Sequence, residues 1–157
     1  MALLQNSSSR ASEPDMFDFC EIDYQRQLIF SGLDDFSPNA ALPHVYGGQF
    51  GPSPDLWRHE VVAFLCVNVR GGLLEMFYRR DILADGGIDQ LKNILTAGDK
   101  ESHFDVEIIW NALYFSATEK LDEILDRFEL RSWEALKLDL NPGFIAELRG
   151  CYRNGAF

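Results

Sequence analysis

The stretch SPDLWRHEVVAFLCVNVRGGLLEMFYRRD, residues 53–81, predicts the element around which the fold is organised. Ser53, Pro54 and Asp55 are typical of a helix start, because a serine oxygen can cap a free backbone N–H and proline fits the first helical position. Apolar residues then recur at helical spacing and predict one buried face: Trp57, Val61, Phe64 and Leu65.

The pair Gly71-Gly72 interrupts this pattern. Two adjacent glycines are unfavourable inside a helix, but they suit a left-handed helix exit or a close approach of two backbones. Apolar residues return at helical spacing beyond them: Leu73, Leu74, Phe77 and Tyr78. The stretch therefore predicts a helix, a glycine elbow and a second helix.

The whole chain has 157 residues, of which 46% are hydrophobic and 13% aromatic, and these values favour one domain with a substantial core. Residues 1–15 are serine-rich and lack periodicity, so we expect a flexible arm there and a single globular helical domain over residues 16–157. No apolar run is long enough to span a membrane, and residues 1–10 do not match a secretory signal. Three cysteines without a Cys-x-x-Cys pair favour a reducing, cytoplasmic setting.

The remaining patterns predict a mainly α fold, an irregular helical bundle of five or six helices. Residues 16–30 fit either a short strand or an extra helix, and periodicity does not separate the two. Residues 31–54 are rich in glycine and proline and predict a long irregular connection. Residues 88–95 predict a short amphipathic helix. Residues 104–115 predict the most buried helix, with a strand through Val106, Ile108 and Trp110 as the alternative.

Two further helix starts are visible in the last third of the chain. Ser116 and Glu119 have the spacing of a capping box, in which each side chain satisfies a backbone donor of the other residue. The helix that follows has a clear apolar side: Leu121, Ile124, Leu125 and Phe128. Asn141-Pro142 predicts the start of a last helix, which we expect to end at Gly150 or Gly155.

No catalytic signature is present in the sequence. The three histidines, His44, His59 and His103, are far apart and lack metal-ligand spacing. Nucleophile elbows and phosphate-binding loops are also missing. We therefore expect no catalytic residue, no metal site and no cofactor, with an unrecognised hydrolase or metal enzyme as the alternative from another class.

Charge is the more informative property of the chain. Its 25 acidic residues against 14 basic ones give a formal net charge of −11. Such a protein is repelled by nucleic acid and by anionic membranes, so we expect it to bind neither directly. A basic protein partner would be attracted. The alternative is that the charge only keeps the domain soluble.

Two acidic segments are candidates for a docking surface. Glu119, Asp122, Glu123 and Asp126 recur at i, i+3, i+4 and i+7, which places them on one side of a helix. Only Arg127, four residues after Glu123, is expected to pair with one of them. The second segment runs from residue 13 to residue 35 and includes Asp34 and Asp35. We predict that these six carboxylates bind a basic partner, with two merely solvated faces as the alternative.

The sequence RGGLLEMFY, residues 70–78, resembles a family of small acidic helical bacterial proteins. In that family a helix ends in an Asn-Asn-Gly-Gly-Phe elbow and resumes with glutamine and aromatic residues. Here the glycines and Phe77 are kept, whereas Arg70, Leu73 and Glu75 replace the second asparagine, the phenylalanine and the glutamine. LDEILDRF, residues 121–128, also matches the family's later helix order, so the resemblance covers residues 55–150.

At least one branch of that family acts as a DNA mimic and binds a DNA-binding regulator in place of DNA. The resemblance therefore implies a mostly α, acidic, non-enzymatic binding protein. Combined with the charge, it leads us to expect a cytoplasmic immunity or inhibitor protein that neutralises a basic toxin or effector. A DNA mimic directed at a DNA-binding protein is the second expectation. A homodimer is compatible with either.

Overall fold

The computed structural model describes residues 18–77 and 87–154, and these are mainly helical. The α-helices are α1 (Glu21–Ser31), α2 (Pro54–Arg70), α3 (Gly87–Ala97), α4 (Val106–Ala112), α5 (Glu119–Arg127) and α6 (Pro142–Asn154). Short 3-10 segments occupy Pro38–Ala40, Val45–Phe50 and Trp133–Lys137. Strands β1 (Leu74–Met76) and β2 (Phe115–Ala117) form a small antiparallel sheet. The predicted irregular helical bundle is confirmed, and the predicted arm at residues 1–15 lies outside the described residues.

Helix α2 forms the centre of the core, as its apolar spacing predicts. Trp57, Val61, Phe64 and Leu65 are all buried. The indole N–H of Trp57 donates to the carbonyl of Ala41 at 2.9 Å, which ties the irregular connection to the helix. Pro54 occupies the first turn, but the Ser53 side chain makes no capping hydrogen bond. The predicted helix start is therefore confirmed, and the predicted serine cap is wrong.

The glycine pair ends α2 but does not lead into a second helix. Gly71 keeps a helical φ of −75°, whereas Gly72 turns the chain with a φ of +78°. The backbone N–H of Leu73 then donates to the carbonyl of Asn68 at 2.9 Å. Strand β1 follows, with Leu74 and Met76 buried and the residue between them exposed. The predicted second helix is thus wrong up to Phe77, and residues beyond that lie outside the described part.

The sheet connects segments that are distant in sequence. Leu74 pairs with Ala117 and Met76 pairs with Phe115. On the other side of β2, Phe36 and Phe115 exchange backbone hydrogen bonds of 3.0 and 2.9 Å. Three stretches of chain therefore meet at Phe115, which is fully buried.

This pairing also corrects the predicted capping box. Ser116 lies in β2, so Thr118 caps α5 and its Oγ1 accepts from the backbone N–H of Leu121 at 3.3 Å. The same hydroxyl donates to the carbonyl of Gly72 at 2.6 Å. One threonine thus links the start of α5 to the glycine turn.

The N-terminal region is helical, which resolves the choice that periodicity left open. Tyr24 of α1 is buried, with its ring 4.7 Å from the ring of Phe64 and 6.5 Å from that of Tyr152. Glu21 pairs with Arg149 of α6. Helix α1 therefore packs between the central helix and the last helix.

The other predicted helices differ in how well they match. The predicted apolar positions of α3, α5 and α6 are buried, except Ile88 and Phe128, which are only partly buried. Helix α6 continues through Gly150 to Asn154. Residues 104–115 do not form the most buried helix: α4 is short and buries only Ile109 and Trp110. Leu113 and Phe115, which follow it, are buried in extended chain. None of the helices in the described ranges is long and apolar enough to cross a membrane.

Candidate functional site

Helix α5 carries the four acidic residues that the sequence singles out. Its apolar side is buried through Leu121, Ile124 and Leu125, so the opposite side faces solvent. Glu119, Glu123 and Asp126 are exposed, and Asp122 is half-buried. Neither Glu119 nor Glu123 takes part in an ion pair with any residue in the described ranges.

Arg131 neutralises part of this face. It donates to Asp126 through Nε at 2.8 Å and through a terminal nitrogen at 2.7 Å, and it lies 3.8 Å from Asp122. These hydrogen bonds lower the pKa of Asp126. The predicted pair between Glu123 and Arg127 is wrong, because Arg127 contacts Glu147 of α6 at 3.0 Å.

Asp122 connects the acidic helix to the end of α1. A Cβ atom built on Gly32 would lie 3.4 Å from Asp122 Oδ1 and 2.6 Å from Leu125. Burial raises the pKa of Asp122, opposed by Arg131 and supported by the neighbouring carboxylates. Helix α5 therefore packs directly against the turn that follows α1.

This contact brings the end of the second predicted acidic segment to the same region as the first. Asp34 and Asp35 lie one residue beyond Gly32 and precede Phe36, which pairs with β2 shortly before α5. Both aspartates are exposed, and Asp34 Oδ1 accepts from the backbone N–H of Asp35 at 2.9 Å. Asp34 and Asp35 therefore lie between two contact points: Gly32 packs against α5, and Phe36 pairs with the strand that precedes α5.

The sheet adds a carboxylate that sequence reasoning did not select. Glu75 is the exposed residue of β1 and pairs with Ser116. It lies close enough to Asp122 to contribute to the raised pKa of that carboxyl. Glu75 was missed because the stretch was predicted to be helical. We define the acidic surface by its seven members: Asp34, Asp35, Glu75, Glu119, Asp122, Glu123 and Asp126.

Two aromatic rings lie beside Glu75 on the outer face of the sheet. Phe77 and Tyr114 occupy paired positions, and the backbone N–H of Phe77 donates to the carbonyl of Tyr114 at 3.0 Å. Alternation along β1 places Phe77 on the same face as Glu75. The rings remain 48% and 43% exposed. An apolar pair thus borders the acidic surface.

A second feature is a groove between α2 and α3, with a volume of about 580 Å³. His59 lines this groove, whereas His44 lines a smaller cavity of about 420 Å³ beside α1. His103 lies in the turn before α4, so the three histidines do not converge. Within residues 18–77 and 87–154, no group of three or more His, Cys, Asp or Glu side chains is arranged to hold a metal ion.

The fold and this surface define a mainly helical domain with a concentrated acidic face. Comparison of the chain with protein-family models, with curated proteins and with solved structures found no match. Function must therefore be inferred from the geometry of the acidic surface.

Proposed function

We propose that this protein is a non-enzymatic binding protein whose acidic surface docks onto a basic protein partner. The observation that carries the proposal is the convergence of three sequence-distant acidic segments near one small sheet. The segments are the turn after α1, strand β1 and helix α5. We further propose that the partner is a toxin or effector, which the protein neutralises as a cytoplasmic immunity protein.

The arrangement suits recognition of a basic surface for two physical reasons. Opposite charge accelerates encounter and disfavours wrong partners. Exposed aromatic rings next to carboxylates can accept arginine guanidinium groups by stacking and cation–π contact, and aromatic residues often supply much of the binding energy at interfaces. Phe77 and Tyr114 are the anchors in this proposal, and Glu75 and Glu119 are the carboxylates that attract the basic partner.

The direct test compares two charge-matched variants as baits in a lysate of the source organism. The first carries Glu75→Gln, Glu119→Gln and Glu123→Gln on the acidic surface. The second carries Asp55→Asn, Asp89→Asn and Glu134→Gln on other elements, so that the net charge changes equally. A partner captured by the wild type and by the second variant, but lost with the first, would support the proposal.

Two further outcomes separate the alternatives. A partner that both variants capture equally would move the interface elsewhere on the molecule. A captured DNA-binding protein that duplex DNA displaces competitively would favour a DNA mimic over an immunity protein, because the partner would then use its DNA-binding surface. Circular dichroism and thermal melting of each variant confirm that loss of binding does not arise from unfolding.

A further inference from the structure

The groove between α2 and α3 follows one complete face of the central helix. Its lining residues on α2 start at Asp55 and end at Arg70 and recur every three or four positions. This face is about 22 Å long, because an α-helix rises about 1.5 Å per residue. The groove volume, about 580 Å³, lies within the range of ligand sites, roughly 300–1,000 Å³. The shape therefore suits an elongated small molecule.

The floor of the groove is apolar. It is formed by Val62, Ala63, Cys66, Val67, Leu95 and Val106. Cys66 is partly buried there, and burial raises the pKa of its thiol to about 11, so the sulfur is a neutral, weakly polar group near pH 7. An alkyl chain lying on this floor would replace water against apolar surface, which is favourable.

Cations border the groove in a strongly acidic protein. Arg70 of α2 and Lys92 of α3 line it, and neither forms an ion pair with a residue in the described ranges. Both line the groove with Cys66 and lower the pKa of its thiol against the dominant effect of burial, whereas Asp89, which also lines the groove, raises it.

A third cation is held in place at the other end of the groove. Arg58 contacts Glu107 at 3.0 Å, and its guanidinium lies 4.7 Å from the Trp110 ring. The acids that line the groove are Asp55 and Asp89. Arg58 is paired with Glu107, whereas Arg70 and Lys92 have no ion-pair partner within residues 18–77 and 87–154, so these two are the candidates to receive a negatively charged group.

We propose that the α2–α3 groove binds an elongated amphipathic anion. Its apolar chain lies along the floor, and its carboxylate or phosphate group contacts Arg70 and Lys92. This site is separate from the acidic surface on α5 and does not depend on the function proposed above. A charged hydrogen bond of this kind provides more binding energy than a neutral one.

Calorimetric titration with four probes of equal chain length tests the proposal: decanoate, decyl phosphate, decanol and decylamine. Each is used below its micelle concentration or, for decanol, below its solubility limit. A protein of net charge −11 attracts cations in general, so non-specific binding would favour decylamine. We expect the opposite order, with decanoate or decyl phosphate bound at a ratio of one per chain and more tightly than decanol. Comparison of the two anions identifies the preferred head group.

Substitutions at the groove then assign the contacts. Arg70→Gln with Lys92→Gln should weaken anion binding by about tenfold or more and leave decanol binding unchanged. Lys100→Gln, an exposed lysine outside the groove, is the control. Ala63→Leu should weaken all the probes, because it fills the floor.

A chemical readout is independent of calorimetry. Decanoate should slow the alkylation of Cys66 by iodoacetamide and leave the exposed Cys20 unaffected. Tighter binding of decylamine than of decanoate, or an unchanged anion preference in the Arg70→Gln, Lys92→Gln variant, would overturn the proposal.

Discussion

Arg131 donates two hydrogen bonds, of 2.8 and 2.7 Å, to the carboxylate of Asp126. The arginine lies beyond the end of α5, and the chain returns to the helix through a backbone hydrogen bond from Leu130 to Leu125 at 2.8 Å. One member of the acidic surface is thereby neutralised from within the molecule. The charge available to a partner is consequently concentrated on Glu75, Glu119 and Glu123, together with the aspartates after α1.

Replacing Arg131 should strengthen recognition. In Arg131→Gln, Asp126 loses its partner and the acidic surface gains one net negative charge, so a basic partner should associate faster at low salt. Stability should change little, because exposed ion pairs contribute little to the free energy of unfolding. Lys100→Gln changes the net charge equally at a distant site. If the two variants associate at the same rate, the local role of Asp126 is refuted.

Neutralising α5 should slow association without unfolding the protein. In a variant that combines Glu119→Gln, Asp122→Asn, Glu123→Gln and Asp126→Asn, repulsion at i+3 and i+4 spacing is removed. The association rate should fall and lose much of its dependence on salt. Stopped-flow mixing with the partner at low and high salt measures both effects.

Substitutions on the apolar side of α5 should have the opposite effect: they should reduce stability and leave recognition unchanged. Leu121 is fully buried, so Leu121→Ala should cost about 2–5 kcal/mol of unfolding free energy. Binding by the fraction that remains folded should be normal. A neutralised α5 that associates at the wild-type rate would assign this face to solvent.

Substitutions at Gly71 and Gly72 should reduce the free energy of unfolding by different amounts. Gly72 has a φ of +78°, so Gly72→Val should cost more than about 1 kcal/mol of unfolding free energy. Gly71 has a φ of −75°, which every residue type adopts, so the only cost there is the close contact of 3.2 Å between a Cβ and the carbonyl oxygen of Val67. Gly71→Ala should therefore cost less than Gly72→Ala, which chemical denaturation can measure. An equal cost would show that positive φ does not limit this turn.

Alkaline pH should destabilise the fold through its buried tyrosines. Burial raises the pKa values of Tyr24 and Tyr152 above their usual value of 10.0. The folded state therefore holds these protons more tightly than the unfolded state. Their contribution is complete below about pH 10 and is lost as the pH rises above the pKa of the unfolded tyrosines. Urea unfolding between pH 7 and pH 11 should show this decline.

The variant Tyr152→Phe isolates the contribution of Tyr152 to the loss of stability at alkaline pH. At pH 7 it should cost about 1–3 kcal/mol, because the hydroxyl donates to Asn68 Oδ1 at 2.8 Å and the amide oxygen would lose its donor. Above pH 10 the variant should lose less stability than the wild type. Tyr114→Phe, which removes a tyrosine hydroxyl at an exposed position, is the control. A steeper alkaline decline in Tyr152→Phe would contradict this explanation.

The helices were predictable from the sequence because their signals are local. Trp57, Val61 and Phe64 recur at the helical period over a long enough stretch to define α2, and Asn141-Pro142 marks the start of α6 through the chemistry of one turn. The acidic face of α5 was predictable for the same reason. Some local details were wrong. Ser116 was predicted to cap α5, but it pairs with Glu75 in the sheet, and Thr118 caps the helix instead.

The sheet and the full acidic surface depend on contacts between distant residues. A three-residue strand is too short to show alternation, and Leu73 and Leu74 also fit a helix. Only the pairing with β2 decides their conformation, and that pairing joins residues about forty positions apart. Glu75 reaches the acidic surface through this pairing, and Arg131 reaches Asp126 through an irregular turn. Neither relationship has a signature in sequence spacing.

The packing of α1 against α6 has a consequence for synthesis on the ribosome. Tyr24 is translated long before its neighbour Tyr152. While the last helix is still in the exit tunnel, the inner face of α1 lacks one of its partners and exposes apolar surface. The inner face of α1 is therefore a surface on which the nascent chain can aggregate until α6 has left the tunnel.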